Sequence, residues 1–185
     1  MDIADQIRIC LKEQLKTTPF DGITISSLCS KAGISRRTFG RHFSGIGDIV
    51  DAQIREDFVE PVRQLRNLLP MEEIKSSPIL LIERMFQTFY ENRDYYSKLL
   101  HYRGNMSLVE AITREISILN REIYSTYDMT PEDRDFAVYL FASTQAMIFV
   151  WWIREKEDIP PKQMAKLYHS WCFGHWSEIL NLDYD

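Results

Sequence analysis

The chain has 185 residues, 45% of them hydrophobic and 26% charged, which is enough to bury a substantial core and is ordinary for a folded soluble protein. A formal net charge of −5 excludes indiscriminate polyanion binding, and three cysteines without a CxxC pair exclude a disulfide framework or zinc ribbon and fit a reducing cytoplasm. With Asp2 and Asp5 near the start no ordinary secretory signal is expected; the most apolar segment, Phe136 to Ile153, is interrupted by Ser143, Thr144 and Gln145 and bordered by Arg134 and Arg154, so no membrane span is expected.

Ile3, Ile7, Leu11 and Leu15 recur every four residues and predict an amphipathic helix from Asp2 to about Thr17, closed by Pro19. After the turn Phe20-Asp21-Gly22, Thr24 is placed to cap a second helix through Ser27, Leu28, Cys29 and Lys31. Gly33 stops that helix, because glycine takes the left-handed conformation at little steric cost. Ser35 caps a third helix, expected from Arg36 to Phe43. Phe39 and Phe43 share one of its faces, while Arg36, Arg37, Thr38, Arg41 and His42 lie mostly elsewhere, so one face packs and the other is basic.

A helix in the major groove needs that division. Arginines reach guanine edges bidentately, and hydroxyls or backbone N–H groups hold phosphates. The spacing is that of a helix-turn-helix, and the window Lys31 to His42 carries four basic residues and no acidic one. Arg36, Arg37, Thr38 and Arg41 are the expected DNA contacts. Thr24, Ser35 and His42 are better suited to phosphates than to bases, with Thr24 and Ser35 also capping their helices.

The run from Ile23 through Ala32-Gly33-Ile34-Ser35 to Thr38-Phe39 and His42-Phe43 resembles the N-terminal domain of TetR-family bacterial transcription regulators. Two positions depart from the family pattern: Gly40 stands where tyrosine is usual, and Ile46 where lysine is usual. Both customary residues meet the DNA backbone, so the resemblance implies the fold more strongly than it implies ordinary affinity. Gly40 also weakens its own helix by about 1 kcal/mol relative to alanine.

Gly45-Ile46-Gly47 turns the chain out of this head, with Asp48 a plausible N-cap for a helix to about Leu69 that Pro61 should bend or break near Phe58 to Glu60. Further helices are expected from Pro78 to about Asn92, from Tyr95 to about Tyr102, from Ser107 to Tyr127, from Thr130-Pro131 to about Glu155, and from Pro161 to near Leu180. The expected class is all-α, with about nine helices. With the resemblance, residues 1–48 are expected to form a three-helix helix-turn-helix DNA-binding domain, and residues 49–185 a helical effector-binding and dimerisation domain.

The body carries Phe89-Tyr90-Glu91-Asn92-Arg93-Asp94-Tyr95-Tyr96, Trp152-Ile153 and Ile159-Pro160-Pro161-Lys162-Gln163-Met164-Ala165. In these it is similar to a subgroup of the same family typified by the regulator of a bacterial dihydroxyacetone-kinase operon. The resemblance implies a homodimer through the last two helices, a double-stranded DNA operator and a small-molecule effector. Phe141, Met147, Phe149, Val150, Trp151, Trp152 and Ile153 give more apolar surface than one small core needs, which agrees with a partner subunit.

Aromatic walls with a few polar ends suit a small ligand, and Phe86, Tyr90, Tyr96, Tyr102, Tyr124 and Trp151 are the candidates for an effector pocket; a plain aromatic core is the alternative. His169, Cys172 and His175 spread over too much of a helix to converge on one ion, so no metal and no cofactor are expected. No nucleophile with a nearby base stands out, and no catalytic role is assigned. The expected function is a TetR-type transcription regulator, a repressor modulated by its effector. A TetR-like co-regulator with weakened DNA binding that acts through a protein partner is the alternative.

Overall fold

The computed structural model describes residues 2–70, 72, 78–100, 107–156 and 158–174, and every regular element among them is helical, with no strand. The head holds α1 (Ile3–Gln14), a 3-10 turn (Phe20–Gly22), α2 (Ile25–Ala32) and α3 (Arg36–Phe39). A rod follows: α4 (Ile46–Ile54), a π turn (Arg55–Val59) and α5 (Glu60–Leu68). The body continues with α6 (Ile79–Glu91), α7 (Arg93–Ser97), α8 (Leu108–Tyr124), α9 (Pro131–Glu155) and α10 (Pro161–Phe173).

Several boundaries differ from expectation for local reasons. The expected helix Arg36–Phe43 stops at Phe39, where the Arg41 and His42 N–H groups donate to carbonyls three residues back and tighten the turn around Gly40. Gly45, not Asp48, is the N-cap of α4; Asp48 sits in its first turn and accepts from the Ser44 N–H at 2.7 Å. The expected ends near Tyr102 and Leu180 lie outside the described residues.

Pro61 does not break the rod. It lacks an N–H and its ring crowds the carbonyl four residues back, and the chain absorbs this with one widened turn in which the Glu60 N–H donates to the Arg55 carbonyl. That turn aims consecutive residues at different partners. Arg55 forms a bidentate pair with Glu115 of α8, both bonds at 2.9 Å; Glu56 lies 3.6 Å from Arg8 of α1; Phe58 enters the body core.

Around Phe58 the rings of Phe86, Phe89, Tyr96, Phe149 and Trp152 are all buried, and Phe58 lies 4.9 Å from Phe89 and 5.4 Å from Phe149, centroid to centroid. Such ring pairs add about 0.5–1.5 kcal/mol each beyond their area burial. Helices α8 and α9 form a hairpin, and α10 packs on α6. Thr130 opens α9 by accepting from the Asp133 N–H at 3.1 Å, with Pro131 first in the helix as expected. By length and composition α9 could cross a membrane, yet it buries Phe149, Trp152 and Gln145 against its neighbours.

Candidate nucleic-acid interface and body cavity

Helix α1 braces α2 at both ends. Gln6 Nε2 donates to the Ala32 carbonyl at 2.8 Å, and Gln14 Oε1 accepts from the Ser27 hydroxyl at 3.0 Å. At the start of α2 the Thr24 hydroxyl accepts from the Ser27 N–H, and the Ser27 hydroxyl accepts from the Thr24 N–H, each at 3.1 Å. This reciprocal cap satisfies two otherwise orphan donors. At its end Gly33 has φ +64°, and the Ile34 N–H reaches back to the Cys29 carbonyl at 3.0 Å. Ser35 then caps α3, accepting from the Thr38 N–H at 3.0 Å.

Phe39 and Phe43 anchor this unit, both buried, with centroids 6.1 Å apart. The residues singled out from the sequence lie at the surface of the same unit. Thr24, Ser35, Arg36, Arg37, Arg41 and His42 are exposed and Thr38 is half-buried. Arg36 Nη2 bonds the Ser26 hydroxyl, and no ion pair among the described residues engages Arg36, Arg37 or Arg41. Their charge therefore stays uncompensated by nearby carboxylates. A groove between α2 and α3 is lined by Thr24, Ser26, Arg36, Gly40 and Ser44 together with Ile25, Phe39 and Phe43, so hydroxyls and one guanidinium edge a shallow concave surface with an apolar floor. Ile46 is half-buried against the core, as an apolar residue there should be.

The candidate effector residues separate. Phe86 and Tyr96 are fully buried in the aromatic core, where Tyr96 donates to Asp57 at 2.9 Å. Tyr90 stacks on Trp152 at 5.3 Å, with the Arg93 guanidinium 4.2 Å over its ring. Trp151 lies on the exposed side of α9, and Tyr102 lies outside the described residues. Tyr124 lines a cavity.

That cavity, about 350 Å³, lies between α5, α6, α8, α9 and α10. Val62, Ile82, Met85, Ile123, Phe141 and Phe173 form much of its apolar wall, and Asn120 and Gln145 supply amides. Asn120 Nδ2 and Gln145 Oε1 are buried without a hydrogen-bond partner, their residues 5% and 7% exposed. Burial raises the Tyr124 phenol above its ordinary range. Sequence reasoning missed both amides, although each interrupts an apolar face: Asn120 follows Ile116 and Leu119 on α8, and Gln145 stands within the apolar α9.

Among the described residues no group of three His, Cys, Asp or Glu side chains gathers to hold a metal. His169 stacks on Phe173 at 5.5 Å, burial raises the Cys172 thiol, and His175 lies outside the described residues.

No curated protein matches the sequence. The solved structure of a protein titled dihydroxyacetone kinase operon activator DhaS resembles the chain with a TM-score of 0.55 at 17% identity, covering 97% of this chain and 92% of that one, a likeness of fold. A model of the transcriptional regulator C-terminal region of the TetR type matches residues 77–171, just over half of the chain. With a helix-turn-helix head in front of that region, the chain belongs to the TetR family of transcription regulators.

Proposed function

We propose that this protein is a cytoplasmic, homodimeric repressor whose heads enter successive major grooves of a pseudo-palindromic operator and are released or modulated by a small molecule bound in the body. Residues 1–48 read DNA, and residues 49–185 bind effector and dimerise. The observation that carries this reading is the uncompensated basic face of α3 beside the capped N-terminus of α2. Arg36, Arg37 and Arg41 reach base edges or phosphates, with Thr24, Ser35, Thr38 and His42 fixing the register. The exposed sides of α9 and α10, with Phe136, Tyr139, Met147, Leu167 and Trp171, meet the partner subunit. A dimer seated on its operator blocks that stretch of DNA, hence repression. Footprinting on the DNA upstream of its own gene should show two protected half-sites about 34–36 Å apart on one face. A single half-site or diffuse protection would count against the proposal.

One observation favours a second reading. Helix α3 has four residues and gives way to Gly40, so a co-regulator that binds DNA weakly and acts through a protein partner is the alternative. Gly40 has φ −65°, and an added Cβ would meet the Arg36 carbonyl at 3.4 Å and the Arg37 carbonyl at 3.8 Å. Gly40→Tyr with Ile46→Lys should then create operator binding that the natural protein lacks; strong binding before the change defeats this alternative.

A further inference from the structure

We infer that the body cavity takes an uncharged, mostly apolar molecule carrying a hydroxyl or amide group, and that this group bonds Asn120 and Gln145. The inference rests on the cavity being the effector site and adds the chemistry of what fills it. Buried polar groups are almost always paired, so two residues that line one space and each hold an unpaired buried amide atom mark where a partner belongs. The Asn120 N–H needs an acceptor and the Gln145 oxygen needs a donor, and a single hydroxyl or amide supplies both.

Charge decides against an ionic ligand. None of the cavity's described lining residues is Asp, Glu, Lys, Arg or His, so an ion would lose its hydration with no counterion to replace it. Size and wall agree: about 350 Å³ falls in the range of small-molecule sites, and the apolar lining suits a ring system. Ordered water could also pair the amides, but water gains nothing from the apolar wall that makes up most of the surface.

Three probes of one shape test this by calorimetric titration of the full-length protein: 2-naphthol, naphthalene and 2-naphthoate. Naphthol should bind at least about tenfold more tightly than naphthalene, because only it pairs the amides. Naphthoate should bind more weakly than either. Asn120→Leu and Gln145→Leu, with folding checked by circular dichroism, should reduce the naphthol affinity to that of naphthalene. Should a leucine variant fail to fold, the ranking of the probes on the natural protein still decides. Naphthoate binding as well as naphthol overturns the neutral ligand; a naphthol advantage that survives both variants overturns the amide assignment; failure of all three to bind overturns the site. Naphthol that binds as predicted without altering DNA binding supports the ligand chemistry while refuting the cavity's effector role.

Discussion

The Tyr96 hydroxyl donates to Asp57 Oδ2 across 2.9 Å and so ties body helix α7 to the π turn of the rod. Lys12 of α1 lies 3.5 Å from the same oxygen, and Gln53 donates to Oδ1 at 2.8 Å. One carboxylate thus gathers groups from head, rod and body. Asp57→Asn and Tyr96→Phe should each destabilise the fold by about 1–3 kcal/mol, since both weaken a hydrogen bond to a charged group. In a double-mutant cycle read by urea unfolding, the pair should couple by about 0.5 kcal/mol or more. Additive losses would mean that this bond transmits nothing.

Alkaline pH should unfold the body. Burial, reinforced by the Asp57 charge, holds the Tyr96 phenol well above its ordinary value of 10.0, and burial raises Tyr95 and Tyr168 in the same direction. A value raised in the folded state leaves stability intact below pH 10.0 and removes it as pH rises further, because the unfolded chain ionises first. Unfolding free energy should fall steadily above about pH 10, and Tyr96→Phe should reduce that slope. Tyrosine ionisation that precedes loss of helical circular dichroism would contradict the prediction.

Gly33→Ala should lower stability. The φ of +64° at the turn between α2 and α3 costs a side-chain-bearing residue about 1–2 kcal/mol, although open space surrounds the site. A thermal melt should show a midpoint lower by about 2–8 °C. An unchanged midpoint would mean that the turn relaxes without penalty.

Phe136, Tyr139 and Met147 of α9 are 68%, 69% and 62% exposed in the single chain. A second copy should cover them, giving twice the 21.9 kDa chain mass in sedimentation. Met147→Glu with Trp171→Glu should shift the protein to monomer, since both place charge in an apolar interface. A monomeric natural protein at micromolar concentration would remove the proposed dimer.

The helices were legible in the sequence wherever a local cap or period decides them. Thr24, Gly33, Ser35 and Thr130-Pro131 mark boundaries that the structure keeps. Pro61 was legible as a disturbance, but not as a π turn, because the rescue depends on Phe58, Arg55 and Asp57 finding partners far along the chain. The residues proposed to face DNA follow from one helix and its neighbouring cap. The cavity does not: its wall comes from five helices, and aromatic residues with equal periodicity, such as Phe86 and Tyr124, are separated into core and lining only by tertiary packing.

Equilibrium binding to duplexes of the protein's own upstream DNA and of a scrambled sequence, repeated over a range of salt, tests operator recognition itself. The protein should prefer the upstream duplex and lose affinity steeply with salt. Arg37→Ala should weaken binding, and if the residue faces a phosphate the logarithmic salt slope should fall by about one. Equal binding to both duplexes, no dependence on salt, or an Arg37→Ala protein indistinguishable from the natural one would contradict operator recognition.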